Sequence, residues 1–180
     1  MISLAASRST WPAHQGYFAQ TGVHALQAGA DGATAGRWWL LCPTGSAVRI
    51  YIVKVSFVCQ HNSVLATPTG PRITLEKMSH SGAGASSVTA VSALSGAPTP
   101  TAIVRTTAPT TPVAFAAFHA FMPSGALTAV GAAPMSSAEF EPVEPLEVVA
   151  GQGIVCRQPD VGTTSETSRR FATSVYWIEV

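Results

Sequence analysis

Apolar and polar positions along most of this chain alternate with a period of two, the spacing of strands with one face buried and one turned outward. The clearest run is 48–59. Tyr51, Val53, Val55, Phe57 and Cys59 share one predicted face there, while Arg49, Lys54 and Ser56 mark the ends and the other side. Its valines and isoleucines favour strand over helix, because branching at Cβ suits a pleated surface. In 72–79, Ile73 and Leu75 alternate with Arg72, Thr74 and Glu76, a half-exposed strand. In 37–42 both faces are apolar, with Trp38, Leu40 and Cys42 on one and Trp39 and Leu41 on the other. Further strands are expected at 102–106, 146–150 and 153–158, the last two separated at Gly151-Gln152-Gly153, and at 169–180. Run 113–122 sets Val113, Phe115, Ala117, His119 and Phe121 against Phe118 and Met122. Its alanines suit a helix, but flanking Pro112 and Pro123 and the aromatic content favour a strand.

Eight short strands with Gly/Pro turns between them, no amphipathic stretch of helix length and no fixed repeat predict an all-β fold. The expected architecture is a jelly-roll-like antiparallel β-sandwich. An immunoglobulin-like sandwich is the alternative, and it lacks its Cys-Trp-Cys pattern here. Residues 1–35 show no sustained period and are expected to form an extended N-terminal arm, with one short strand near 16–20 as an option. The sandwich domain is expected to span 36–180. The arm carries Trp11, Tyr17 and Phe18, and such aromatics are depleted in disordered chain, so the arm should pack on the sandwich or on a neighbour. Residues 80–100 are expected to be a long loop with room for a short helix at 88–94, and 139–147 an acidic, proline-interrupted connector.

Composition sharpens this picture. Of 180 residues, 47% are hydrophobic and only 11% charged, against about 25% in an ordinary soluble domain. A surface so poor in charge favours association; it fits either a compositional bias toward Ala and Gly or cover by partner subunits. A net charge of +1, with Arg169-Arg170 as the one adjacent basic pair, argues against a nucleic-acid partner. No apolar run reaches the length of a membrane-spanning helix, so no membrane partner is expected. The first residues lack the basic and apolar regions of a signal peptide. Cys42, Cys59 and Cys156 are odd in number and widely spaced, which suggests buried, free thiols in a reducing cytoplasm.

Candidate chemistry is sparse. There is no Gly-x-Ser-x-Gly and no phosphate-binding loop. His14, His24, His61, His80 and His119 each stand alone, without the paired spacing of a cupin-type metal site. His119 reads as a core or interface imidazole, and His61 and His80 as residues able to meet across a sandwich end. Glu139, Glu141, Glu144 and Glu147 lack the Asp/Asn and Gly positions of a calcium loop and are splayed by Pro142 and Pro145. No catalytic residue, metal or cofactor is expected, and the chain is expected not to be an enzyme. Trp38 and Trp39 are the residues a sugar-binding module would use. Tyr176, Trp177 and Ile178 are expected to make core or oligomer contacts.

Two stretches carry a resemblance. The run Ala35-Gly36-Arg37-Trp38-Trp39 precedes the long strand around 48–57. The run around Glu144-Pro145-Leu146, with Gly151-Gln152-Gly153 and Ile154-Val155-Cys156, precedes the strand ending in Trp177-Ile178-Glu179-Val180. Together they resemble β-sandwich proteins that decorate or cement the capsids of tailed bacteriophages. The resemblance implies a virion structural protein on the capsid exterior, assembled in the host cytoplasm. Its implied partners are the phage major capsid protein and further copies of itself, a trimer being the expected homo-oligomer. A tail, baseplate or head-fibre component is the alternative within that class. A carbohydrate-binding module is the alternative outside it.

Overall fold

In a computed structural model the described residues are 15–22, 24–26, 36–61, 73–92, 96–121, 135–157 and 166–180, and every regular element among them is a strand. In chain order these are β1 (Gln15–Gln20), β2 (His24–Leu26), β3 (Trp38–Leu41), β4 (Ile50–His61), β5 (Ile73–Ser79) and β6 (Val91–Ser92). Then follow β7 (Ile103–Arg105), β8 (Val113–Phe121), β9 (Met135–Phe140), β10 (Leu146–Val148), β11 (Gln152–Arg157) and β12 (Glu166–Glu179). They form a seven-stranded and a five-stranded sheet.

The seven-stranded sheet runs β10-β4-β12-β1-β6, with β9 also on β4 and β2 also on β12; the five-stranded sheet runs β7-β3-β11-β5-β8. All pairings are antiparallel. Leaving aside the short β2, β6 and β7, one layer reads β1-β12-β4-β9/β10 and the other β3-β11-β5-β8. The chain changes layer at nearly every connection, which is the wrapping of a jelly roll. All eight strands expected from the alternation are present, the optional strand near 16–20 is β1, and β2, β6 and β9 add to them.

Four expectations need correction. Within the expected arm, Gln15–Gln20 is an interior strand, paired with β12 on one side and β6 on the other. Tyr17 and Ala19 point inward at period two, a signal too short to stand out against the Ala/Gly background. The sandwich therefore includes chain before residue 36. The optional helix at 88–94 is instead strand β6 at Val91–Ser92. The acidic connector begins as strand β9, whose Ser137–Phe140 stretch pairs with β4. Finally, β4 does not keep one face throughout. Tyr176 opposes Lys54 while Trp177 opposes Ile52, so Val53 is an extra residue that reverses the parity. Ile50, Ile52, Val55 and Phe57 face the core, and Tyr51 and Val53 do not.

The core lies between the layers. Trp38, Leu40, Leu75, Ile154 and Cys156 from one sheet meet Tyr17, Ile52, Val55, Phe57, Phe171, Val175 and Trp177 from the other. Tyr17 stacks on Trp177 at 5.8 Å, and its hydroxyl donates to the Pro98 carbonyl at 3.1 Å. A second cluster of Trp39, Leu41, Met78, Val155 and Ala83 sits on the outer side of the five-stranded sheet. It explains why β3 is apolar on both faces. The excursion between β5 and β8 supplies Ala83, Ala108 and Ile103 to this cluster and is tied down by Arg105, whose guanidinium donates to the Ala83 carbonyl.

Candidate assembly surface

The outer face of the seven-stranded sheet is built by the residues that alternate with that core. On β12, Phe171, Thr173, Val175 and Trp177 are buried, so Tyr176 points out and is 39% exposed. On β1, buried Tyr17 and Ala19 leave Phe18 outward, and its ring stacks on Tyr176 at 5.8 Å. The ladder aligns these positions in rows across the sheet. One row is Val91, Phe18, Tyr176 and Lys54. The next is Gly16, Ile178, Tyr51 and Glu147, and the one on the other side is Gln20, Ser174, Ser56 and Glu139. Toward β1 and β6 the face carries Val91, 50% exposed, beside Phe18, Tyr176 and Ile178, and Val58 is a further exposed side chain on β4 next to β9. Toward β9 and β10 the face is ionic.

That ionic half is paired within the chain. Lys54 Nζ lies 2.7 Å from Glu139 Oε1 and 3.6 Å from Glu141 Oε1. The bond to Glu139 holds the Lys54 ammonium above its usual value, and the same bond holds the Glu139 carboxyl below its own. Arg49 Nη1 donates to Glu147 Oε1 at 2.8 Å, and the Tyr51 hydroxyl donates to the same oxygen at 3.2 Å. The acidic segment thus finds its basic partner on β4 of its own chain. Both pairs are exposed and contribute little to stability, but they fix the edge of the apolar half.

The residues expected to contact partners separate by parity. Phe18, Tyr176 and Ile178 come together on this outer face, while Tyr17 and Trp177 are core. Trp11 lies outside the described residues. The sequence runs Tyr17-Phe18 and Tyr176-Trp177-Ile178 each hold inward and outward residues, and only the strand register sorts them. Val91, Val58 and Tyr51 were missed as members of the face. The alternation on β12 would have nominated Ser174 and Ala172 as their small neighbours.

The other candidates resolve differently. Trp38 and Trp39 are 0% and 1% exposed, so neither presents a ring on which a sugar could stack. His80 is buried, its Nε2 donating to the Cys42 carbonyl at 3.0 Å, and burial lowers its affinity for a second proton. His61's side chain is outside the described set. Cys42 and Cys156 are buried free thiols, and burial pushes both above the usual thiol range. Among the described residues no three His, Cys, Asp or Glu side chains gather as metal ligands. Glu76, deeply buried, is held by Arg157 Nη1 at 2.8 Å and by the Thr74 hydroxyl at 2.9 Å. Glu179 accepts the amides of Thr101 and Ala102, both at 2.8 Å, and the Trp177 indole N–H at 3.0 Å. Each of these two carboxylates is saturated by structural donors.

The fold and this face define the class: a two-layered jelly-roll sandwich with an apolar sheet surface. No protein family, curated protein or solved structure matches the chain.

Proposed function

We propose that this protein is a structural assembly subunit, a decoration or cement protein on the exterior of a phage capsid, where it binds the major capsid protein and further copies of itself as a trimer. The observation that carries this reading is the row Val91, Phe18, Tyr176 with neighbouring Ile178 on the outer side of the seven-stranded sheet. Solvent-facing sheet surfaces in free monomers carry alternating polar residues, and contiguous apolar patches mark interaction sites. The low charge of the whole chain supports it, since little of the surface is equipped to stay bare. The mechanism is mechanical. Bridging neighbouring capsomers adds buried area across seams that internal pressure tends to open.

The test pairs Phe18→Ser with Tyr176→Ser. The double variant should keep its strand circular dichroism and yet lose self-association in analytical ultracentrifugation. It should also fail to co-sediment with particles that retain the wild-type protein. A wild-type protein that stays monomeric at high concentration and is absent from purified particles would overturn the reading.

A further inference from the structure

One titratable side chain sits where the two layers meet at their β8 and β9 edges. His119 on β8 lies between Phe140 on β9, at 4.9 Å between ring centres, and Phe57 on β4, at 6.3 Å. Phe121 stacks on Phe57 at 5.7 Å and Phe118 packs tilted against Phe140 at 5.2 Å, so five rings close this seam. Both Phe118 and His119 turn inward because β8 carries an extra residue there: His119 opposes Leu75, but Ala117 already opposes Glu76. The imidazole Nε2 is buried and meets no hydrogen-bond partner among the described residues.

We propose that His119 is an acid-operated latch on this seam: the neutral imidazole completes the aromatic clamp, and the imidazolium opens β8 from β9 and β4. A neutral ring carries one N–H, and with that proton on Nδ1 the buried Nε2 is bare. The doubly protonated ring must place an N–H at the buried Nε2, where no described residue offers an acceptor, and a buried unsatisfied donor is costly. Burial accordingly holds the group below the ordinary histidine value.

The surrounding charges do not reverse this. On β5, Glu76 turns to the opposite side of the sheet and pairs with Arg157, while Lys77 shares the face of Leu75. On β4 and β9, Lys54 and Glu139 bond to each other on the outer face. His61 stands four positions beyond Phe57 on β4. The sign follows from linkage. A group whose folded value is depressed binds its proton better in the open form, so opening is favoured as pH falls through and below the ordinary histidine value near 6.5. At pH 5.0 one such site multiplies the open population by at most about 30-fold, the full effect for a reference value near 6.5.

Amide hydrogen exchange followed by mass spectrometry tests this in the full chain, after correction for intrinsic rates. Between pH 7.5 and 5.0, peptides covering 113–121 and 135–140 should lose protection by roughly 3- to 30-fold, with β11 and the β12 centre spared. His119→Phe keeps the ring and removes the proton site, so its protection there should change less than twofold. That variant retains His61 and His80. An equal loss in His119→Phe, a wild-type seam that changes less than threefold, or an NMR titration placing His119 at or above 6.5 would each overturn the proposal.

Discussion

Gly153→Ala tests whether the packing of β11 between β3 and β5 demands glycine. A Cβ built at this position would lie 2.6 Å from the Leu40 carbonyl oxygen, 2.7 Å from Leu41 Cδ2 and 3.3 Å from Leu41 Cα. Real Cβ contacts do not fall below about 3 Å, and the nearest obstacle is backbone, so β3 itself has to move. It is held by the Cys42 amide on the Gln152 carbonyl at 2.9 Å and the Gly151 amide on the Cys42 carbonyl at 3.1 Å, as well as by the ladder beside it. Overpacking in a tight core costs about 1–3 kcal/mol, and the backbone obstacle puts this case near the top of that range. Against it stands the gain of about 0.4–1 kcal/mol that alanine brings by restricting the unfolded chain. The net loss should be about 2 kcal/mol. With a urea slope of about 2 kcal/mol per molar, the unfolding midpoint falls by about 1 M. Gly22→Ala is the control, because nothing lies within 4 Å of its Cβ and its φ is not positive. That variant should be neutral or slightly stabilised. If Gly153→Ala unfolds within 0.2 M of wild type while Gly22→Ala behaves as expected, the register of β3 on β11 is wrong.

Three further outcomes can be measured. Trp177→Ala should cost about 3–5 kcal/mol, and its neighbour Tyr176→Ala less than about 1, since one ring is 1% and the other 39% exposed; similar losses would refute the parity assigned to β12. Stability should be flat between about pH 7 and 8 and fall as pH drops through the ordinary histidine value of 6.5, because His80 and His119 both titrate below it in the fold while the unfolded chain takes up their protons; a urea midpoint that rises on acidification to pH 5.5 would contradict the burial of both rings. Native protein treated with iodoacetamide at pH 8 should leave the peptides of Cys42 and Cys156 unmodified until urea is added, since both thiols are buried and pushed upward; rapid native labelling of either would show an open core.

The architecture was legible because alternation is a local property. The strand at 169–180 and the proline and glycine boundaries of β8 and β11 follow from the sequence alone, while the register decides which of Tyr176, Trp177 and Ile178 face inward. What stayed hidden depended on partners distant in the chain. The strand at Gln15–Gln20 was offered only as an option, and its place inside the sheet, with Ser174–Glu179 of β12 as template, was not legible from its two apolar inward residues. Met135–Phe140 is likewise a strand with β4 as template. The face of β4 was misjudged at Tyr51 because a single extra residue at Val53 inverts everything on one side of it, and no feature of 50–55 announces a bulge.

The same argument bears on how the assembly surface arises. Phe18 and Tyr176 are far apart in sequence and each looks unremarkable beside a larger inward aromatic. Their proximity is created by one pairing, β1 on β12, whose register is fixed from the core side by Tyr17 stacked on Trp177. A one-residue slip of β1 would turn Phe18 inward and Tyr17 outward, while β12, held by β4, would keep Trp177 in the core and Tyr176 outside. The core stack thus sets which aromatics remain for a partner. A change that weakens the Tyr17–Trp177 contact should therefore disturb the outer face before it unfolds the sandwich, since β6, the strand beyond β1, is held by only two paired residues.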